Sequence, residues 1–185
     1  MERFLLVDGI IAAQTPKAAD AFKSILPNFN TIIEIGFHRG AFTLWLHRNK
    51  EENTKLVAYD ITFGPKEVHN DEIDFRQGDC FSMTTISEIR DLITNGGKTL
   101  VLCDGGAKER EFSLYSEFLK SGDVIMCHDY AHSNEEYISL INSINWNTAA
   151  ESRFDNIKNS VELYNLEGYE YDTFKNVLWG SFIKK

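Results

Sequence analysis

The chain has 185 residues, 43% hydrophobic and 25% charged, a composition ordinary for a water-soluble globular protein. At this length one domain buries roughly 70% of its unfolded surface and needs no disulfide or metal staple. Acidic residues outnumber basic ones 28 to 19, and the net charge of −9 argues against a nucleic acid or an anionic membrane as partner.

In chain order, "MERFLLVDGIIAAQ" holds two short apolar patches broken by Asp8, with no small-residue cleavage site. It reads as neither a signal peptide nor a membrane span. Cys80, Cys103 and Cys127 are an odd number without a C-x-x-C pair, which fits reduced, buried thiols and a cytoplasmic location. Thr15 followed by Pro16 predicts a capped helix over 16–26 within a helical lead-in, residues 1–30, to one domain spanning 1–185. Apolar strand-like runs follow at 31–36, 55–61, 73–76, 99–103 and 123–128. Helical spacing separates them at 40–49, 83–94 and 108–120, with a short helix expected at 65–70. Strands apolar throughout and separated by helices predict a parallel sheet covered on both faces. The tail predicts a helix over 153–165, then two closely joined strands at 169–174 and 177–183; Lys184 and Lys185 read as a basic tail. The expected fold is therefore α/β, a Rossmann-like doubly wound sheet of five parallel strands plus a C-terminal antiparallel hairpin.

In such sheets ligands bind beyond the carboxyl ends of the strands. Here the five ends read Glu34-Ile35-Gly36, Tyr59-Asp60, Gly78-Asp79-Cys80, Cys103-Asp104-Gly105 and Cys127-His128-Asp129. Carboxylates converging on one mouth repel unless a cation, hydroxyl donor or other ligand lies between them. Gly36 and Gly40 bracket Phe37-His38-Arg39, too bulky for the central glycine that a tightly held pyrophosphate needs. Asp60, ending the next strand, can accept hydrogen bonds from both hydroxyls of a ribose. Together these point to a nucleoside ligand without a tightly bound pyrophosphate.

The order E-I-G-x-x-x-G, an acid ending the second strand, G-D after the third and an acid ending the fourth resembles the class I S-adenosylmethionine-dependent methyltransferases. More narrowly, "QTPKAADAFKSILPNFNTIIEIGFHRGAFTLWLHR" resembles the opening segment of the cephalosporin hydroxylase / rhamnosyl O-methyltransferase group; the likeness covers about residues 14–130. The resemblance implies that S-adenosylmethionine is the cofactor. Glu34, Gly36 and Gly40 would line its methionine and ribose side, Asp60 would hold the ribose, and Asp79 with Cys80 would lie near the adenine. Phe37 and Ile61 would pack against it or against the core, and Arg39 would reach its carboxylate or stay in solvent.

Members of that group place a divalent ion at the ends of the fourth and fifth strands, and the matching residues are Asp104, His128 and Asp129. Oxygen ligands suit Mg²⁺, whereas a histidine tilts the preference toward Mn²⁺ or another transition metal. The group's D-x-x-H after the fourth strand is Asp104-Gly105-Gly106-Ala107 here, and His128 stands where an acid is common. Asp104, His128 and Lys108 are the candidate catalytic residues, with Lys108, His128 and His132 as possible bases. His47 and His69 read as surface, His38 as part of the turn, and Trp45, Trp146 and Trp179 as packing.

The resemblance implies metal-assisted methyl transfer to a hydroxyl of a small acceptor, a sugar or natural-product intermediate, which the loops at 62–70, 105–108 and 129–135 or a neighbouring subunit in a homo-oligomer would hold. A nicotinamide-dependent oxidoreductase and a methyltransferase-like domain that binds a nucleoside without catalysis are the alternatives.

Overall fold

The computed structural model describes residues 4–143 and 150–185. A two-stranded ribbon, β1 (Leu6–Val7) and β2 (Ile10–Ile11), precedes helix α1 (Pro16–Ile25) and a 3-10 turn. Thr15 caps α1, its hydroxyl accepting from the Ala18 amide at 3.1 Å. The ribbon is an addition to the expected lead-in. Its Asp8 and Gly9 both have positive φ, at 52° and 82°, as the tight turn of a two-residue hairpin requires.

Five parallel strands alternate with helices through the middle of the chain. They are β3 (Thr31–Ile35), β4 (Lys55–Asp60), β5 (Asp74–Gln77), β6 (Thr99–Cys103) and β7 (Val124–His128). Helix α2 (Ala41–Asn49) joins β3 to β4, α3 (Met83–Asn95) joins β5 to β6, and α4 (Lys108–Ser116) joins β6 to β7. Then come β8 (Tyr130–Ala131), α5 (Asn134–Ser143), β9 (Ser152–Arg153), α6 (Phe154–Leu163), β10 (Leu166–Gly168), α7 (Tyr171–Lys175) and β11 (Trp179–Lys184). The main sheet has the order β10-β11-β7-β6-β3-β4-β5, in which β11 alone runs antiparallel to its neighbours.

Every residue of β3, β6 and β7 is buried, because alternate side chains feed two cores. Ile32, Leu100, Leu102, Val124 and Met126 pack with residues of α1, α2 and α7 on one face. Ile33, Ile35, Val101, Ile125 and Cys127 pack with residues of α3, α4 and α6 on the other. Among the described residues no helix is long and apolar enough to cross a membrane.

Three expected elements differ. Residues 65–70 form no helix: the Glu67 and Val68 amides donate to the Arg39 carbonyl (3.0 and 3.3 Å), holding the segment across the turn before α2. The tail strand expected at 169–174 lies earlier, at Leu166–Gly168, and Tyr171–Lys175 is a helical turn whose Phe174 is fully buried. The last two strands do pair antiparallel, but across α7 rather than through a tight hairpin. Lys184 and Lys185 are no free tail, since Lys184 ends β11 and donates to the Tyr164 carbonyl, and Lys185 pairs with Glu167. Trp45 and Trp179 are buried as expected, and Trp146 lies outside the described residues.

Candidate active site

The turn from β3 into α2 is built around Gly36. Its φ is +91°, and a Cβ there would lie 2.4 Å from the Asp104 carbonyl oxygen, so a side chain is excluded by conformation and by space. The Gly36 amide donates to Tyr59 O at 2.7 Å and the Asp104 amide to Ile35 O at 2.9 Å, which draws the ends of β4, β3 and β6 together. Gly40, with φ +82°, is the residue before α2 and supports the turn from behind, against Val68.

Gly36 separates two cavities. The first, about 210 Å³, is lined by Gly36, Tyr59, Asp60, Ile61, Asp79 and Cys80, with Gly106, Ala107 and Glu111 on the far wall. Asp60 is fixed there by the His38 amide on Oδ2 (2.8 Å) and the Thr62 amide on Oδ1 (3.3 Å). Asp79 accepts from the Phe81 amide at 2.9 Å. Ile61 is 67% exposed and so is available to a ligand rather than part of the core. Glu111, buried on α4, accepts from the Gly105 and Ala107 amides at 3.1 Å each and shapes the loop after β6.

The second cavity, about 190 Å³, is lined by Glu34, Gly36, Phe37, His38, Arg39 and Asp104, with Ile11, Ala12 and Ala13 closing it from the N-terminal ribbon. Glu34 is buried, and its Oε2 has no partner among the described residues. Burial pushes the Glu34 carboxyl up to about 8; the Thr43 hydroxyl works against this, and the nearby Asp104 and Asp60 carboxylates add to the rise. A buried carboxyl with one oxygen unpartnered, in a ligand-sized cavity, is suited to an ammonium group. Arg39 is paired with Glu67, and Phe37 is buried against Phe75 and Phe63. A larger cavity of about 420 Å³ lies at the other end of the sheet, beside Thr31 and Lys55, where β3 and β4 begin.

Asp104 also belongs to a cluster of charge. One donor atom each from Asp104, His128 and Asp129 lies within 4.8 Å of the others. His128 Nδ1 is 2.8 Å from Asp104 Oδ1 and 3.6 Å from Asp129 Oδ1. The second oxygen of each carboxylate is held elsewhere. Gln14 Nε2 donates to Asp104 Oδ2 at 3.2 Å, and Lys108 Nζ lies 3.2 Å from Asp129 Oδ2. Outer partners of this kind orient carboxylates that ligate metals. Lys108 also pairs with Glu151 and is 3.9 Å from Asp104 Oδ1. Burial works to lower the His128 pKa, but Asp104 and Asp129 outweigh it and raise it. With the imidazole neutral, as a ligating nitrogen must be, the three acids and one ammonium leave two net negative charges, the complement of a divalent cation. The residues present therefore fit such an ion. Burial works to lower the Lys108 pKa, but Asp104, Asp129 and Glu151 outweigh it and raise it, so Lys108 is a held cation. His132 lies outside the cluster, paired with Glu136.

Three residues of this arrangement escaped the sequence reading. Gln14 lies within the quoted "QTP" stretch, but no role followed from its position there. Trp179 donates from Nε1 to Gln14 Oε1 at 3.0 Å and packs on the His128 ring at 4.5 Å. Glu151 reaches Lys108 because its amide and that of Ser152 both donate to the Asp129 carbonyl, at 2.8 and 3.0 Å. That carbonyl is turned toward them by the left-handed backbone of Asp129, φ 51°.

The FtsJ-like methyltransferase family model matches residues 16–115, from α1 through α4, more than half of the chain. The chain belongs to the FtsJ-like methyltransferase family. The seven-stranded sheet, parallel but for β11, is that of the class I methyltransferase fold. Among solved structures, the methyltransferase is similar to CmcI in its apo form, with a TM-score of 0.70 and 13% identity over 97% of this chain and 76% of that one. It is also similar to CmcI in its Mg-SAM form, at 0.69 and 13% over 98% and 76%. The O-methyltransferase TomG from Streptomyces achromogenes, involved in tomaymycin synthesis and solved with SAM, gives 0.56 and 12% over 96% and 84%. At these identities the likeness is one of fold. No curated protein matches the methyltransferase significantly in sequence.

Proposed function

We propose that the protein transfers the methyl group of S-adenosylmethionine to a hydroxyl of a small molecule, assisted by a divalent cation. The observation that carries this reading is the double membership of Asp104, which lines the cavity holding Glu34 and takes part in the cluster with His128 and Asp129. That arrangement brings a cofactor cavity and a charged acceptor site within one side chain of each other.

In this reading the first cavity takes the adenosine, with Asp60 accepting from the ribose hydroxyls and Ile61 covering the base. The second takes the methionine end, whose ammonium meets Glu34. The sulfonium lies between, over Gly36, where no side chain intervenes. Asp104, His128 and Asp129 would hold the cation, which would lower the pKa of the acceptor hydroxyl and fix its oxygen for in-line attack. Lys108 balances Asp129 and Glu151 and keeps the cluster in place without acting as the base. The net charge and the acidic mouth favour a small acceptor over a nucleic acid.

Calorimetry with S-adenosylhomocysteine and with NAD tests the cofactor. Transfer of a labelled methyl group from S-adenosylmethionine to a panel of catechols and sugars, with and without divalent cation, tests the reaction. Binding of adenosylhomocysteine and cation-stimulated labelling of a hydroxyl are expected. Binding of NAD without adenosylhomocysteine would overturn the assignment in favour of an oxidoreductase. Adenosylhomocysteine binding with no transfer to any acceptor would leave a nucleoside-binding domain.

A further inference from the structure

Resting on that reading of the cation site, we propose that it selects a transition-metal ion of the Mn²⁺, Co²⁺ and Zn²⁺ class over Mg²⁺, and that His128 is the selecting residue. The argument starts from how the imidazole is held. His128 and Trp179 are direct cross-strand partners in β7 and β11, and their rings pack at 4.5 Å. Trp179 Nε1 donates to the Gln14 amide oxygen at 3.0 Å, and the Gln14 amide nitrogen donates to Asp104 Oδ2 at 3.2 Å. Asp104 Oδ1 returns to His128 Nδ1 at 2.8 Å. These four side chains form a closed ring of contacts, and Gln14, His128 and Trp179 are all buried.

The ring has a chemical consequence. Because the indole can only donate, the Gln14 amide has one orientation, and its NH₂ must face Asp104. Asp104 thus presents Oδ1, and Asp129, with Oδ2 held by Lys108, presents its own Oδ1. The third donor is His128 Nδ1, on a ring packed against a buried indole; it faces Asp104 Oδ1 at 2.8 Å in a hydrogen bond that the ion would replace, the ring proton then lying on Nε2. Mg²⁺ favours an all-oxygen set and water, whereas imidazole favours transition ions. A nitrogen built in this firmly is a poor feature for a Mg²⁺ site and a good one for a transition-metal site. Two net negative charges set the valence of the guest, and the imidazole sets its kind.

The test uses the full chain freed of metal by a chelator and titrated calorimetrically with Mg²⁺, Mn²⁺ and Co²⁺, each with and without adenosylhomocysteine. Co²⁺ should bind about a hundred-fold more tightly than Mg²⁺, and His128→Glu should reduce that ratio by about ten-fold or more. Spin-echo electron paramagnetic resonance of Mn²⁺ bound to the unaltered chain should show coupling to one imidazole nitrogen, absent in His128→Glu. If that variant fails to fold, the coupling in the unaltered chain decides alone. Mg²⁺ binding as tightly as Co²⁺, or bound Mn²⁺ without nitrogen coupling, would overturn the proposal. Adenosylhomocysteine binding with no cation bound would overturn it too and leave the cofactor assignment standing, whereas failure to bind adenosylhomocysteine would remove that assignment itself.

Discussion

Glu34 is the residue whose chemistry is most exposed to test. Its carboxyl, raised to about 8 by burial, is largely protonated at neutral pH in the empty cavity, yet the methionine ammonium requires it ionised. Cofactor binding therefore includes deprotonation, and the dissociation constant for adenosylhomocysteine should rise toward ten-fold per pH unit below about pH 8. Glu34→Gln should bind more weakly at pH 8.5 but lose most of this slope in a calorimetric series. For stability the sign is opposite to that of a salt-bridged acid. The folded chain holds a proton that the unfolded chain releases near the ordinary value of 4.5, so Glu34 erodes stability as pH rises from there to about 8. The Tm of Glu34→Gln should thus exceed that of the unaltered chain, by a margin that widens over this range. Asp60 gives a simpler case. Its two oxygens are already oriented by backbone amides, and Asp60→Ala should weaken adenosylhomocysteine about ten- to hundred-fold by calorimetry, the loss of charge-assisted hydrogen bonds. These acids were legible in the sequence because a strand end marks its own place in an α/β sheet. Gln14 and Trp179 were not, because their partners stand 90 and 165 positions away and only the folded sheet brings them together.

At the scale of elements, the turn joining β3 to α2 carries the greatest constraint. Gly36→Ala would combine a positive φ with a Cβ 2.4 Å from a backbone oxygen that neither β3 nor β6 can easily move. A cost of about 3 kcal/mol or more follows, a fall in Tm of roughly 6–12 °C for a chain this size, measurable by calorimetric melting. Adenosylhomocysteine binding should be lost with it. The same turn shows why short motifs read well: two glycines four apart between an apolar run and a helical one leave little choice of conformation. The ribbon β1–β2 carries a local signature of the same kind, an Asp-Gly pair flanked by apolar residues. Elsewhere the local pattern was ambiguous. "YEYDTFK" alternates like a strand, yet Tyr171 and Phe174 are also one helical turn apart, and the burial of Phe174 against Phe22 decided the outcome. The expected helix at 65–70 lost to hydrogen bonds with the Arg39 carbonyl, a partner no window of local sequence contains.

Across the whole molecule, alternating apolar runs and helical segments were enough to give a parallel sheet with two covered faces. They did not place β11 between β7 and β10, a choice that puts Trp179 opposite His128 and so completes the site from the far end of the chain. The proposed cofactor would lie across the mouths of β3, β4, β5 and β6, touching loops anchored in both cores. Ligand binding should accordingly stabilise the molecule as one unit rather than one loop. Adenosylhomocysteine at about a hundred times its dissociation constant adds about 2.7 kcal/mol, or roughly 5–11 °C in Tm at this chain length. A single sharpened transition shifted by that amount at pH 8 is expected, with NAD giving none. At pH 6 and the same ligand concentration the shift should shrink, because ionising Glu34 then opposes binding. A shift independent of pH would separate Glu34 from the ammonium, and a split transition would mean that the two cavities belong to regions that melt apart.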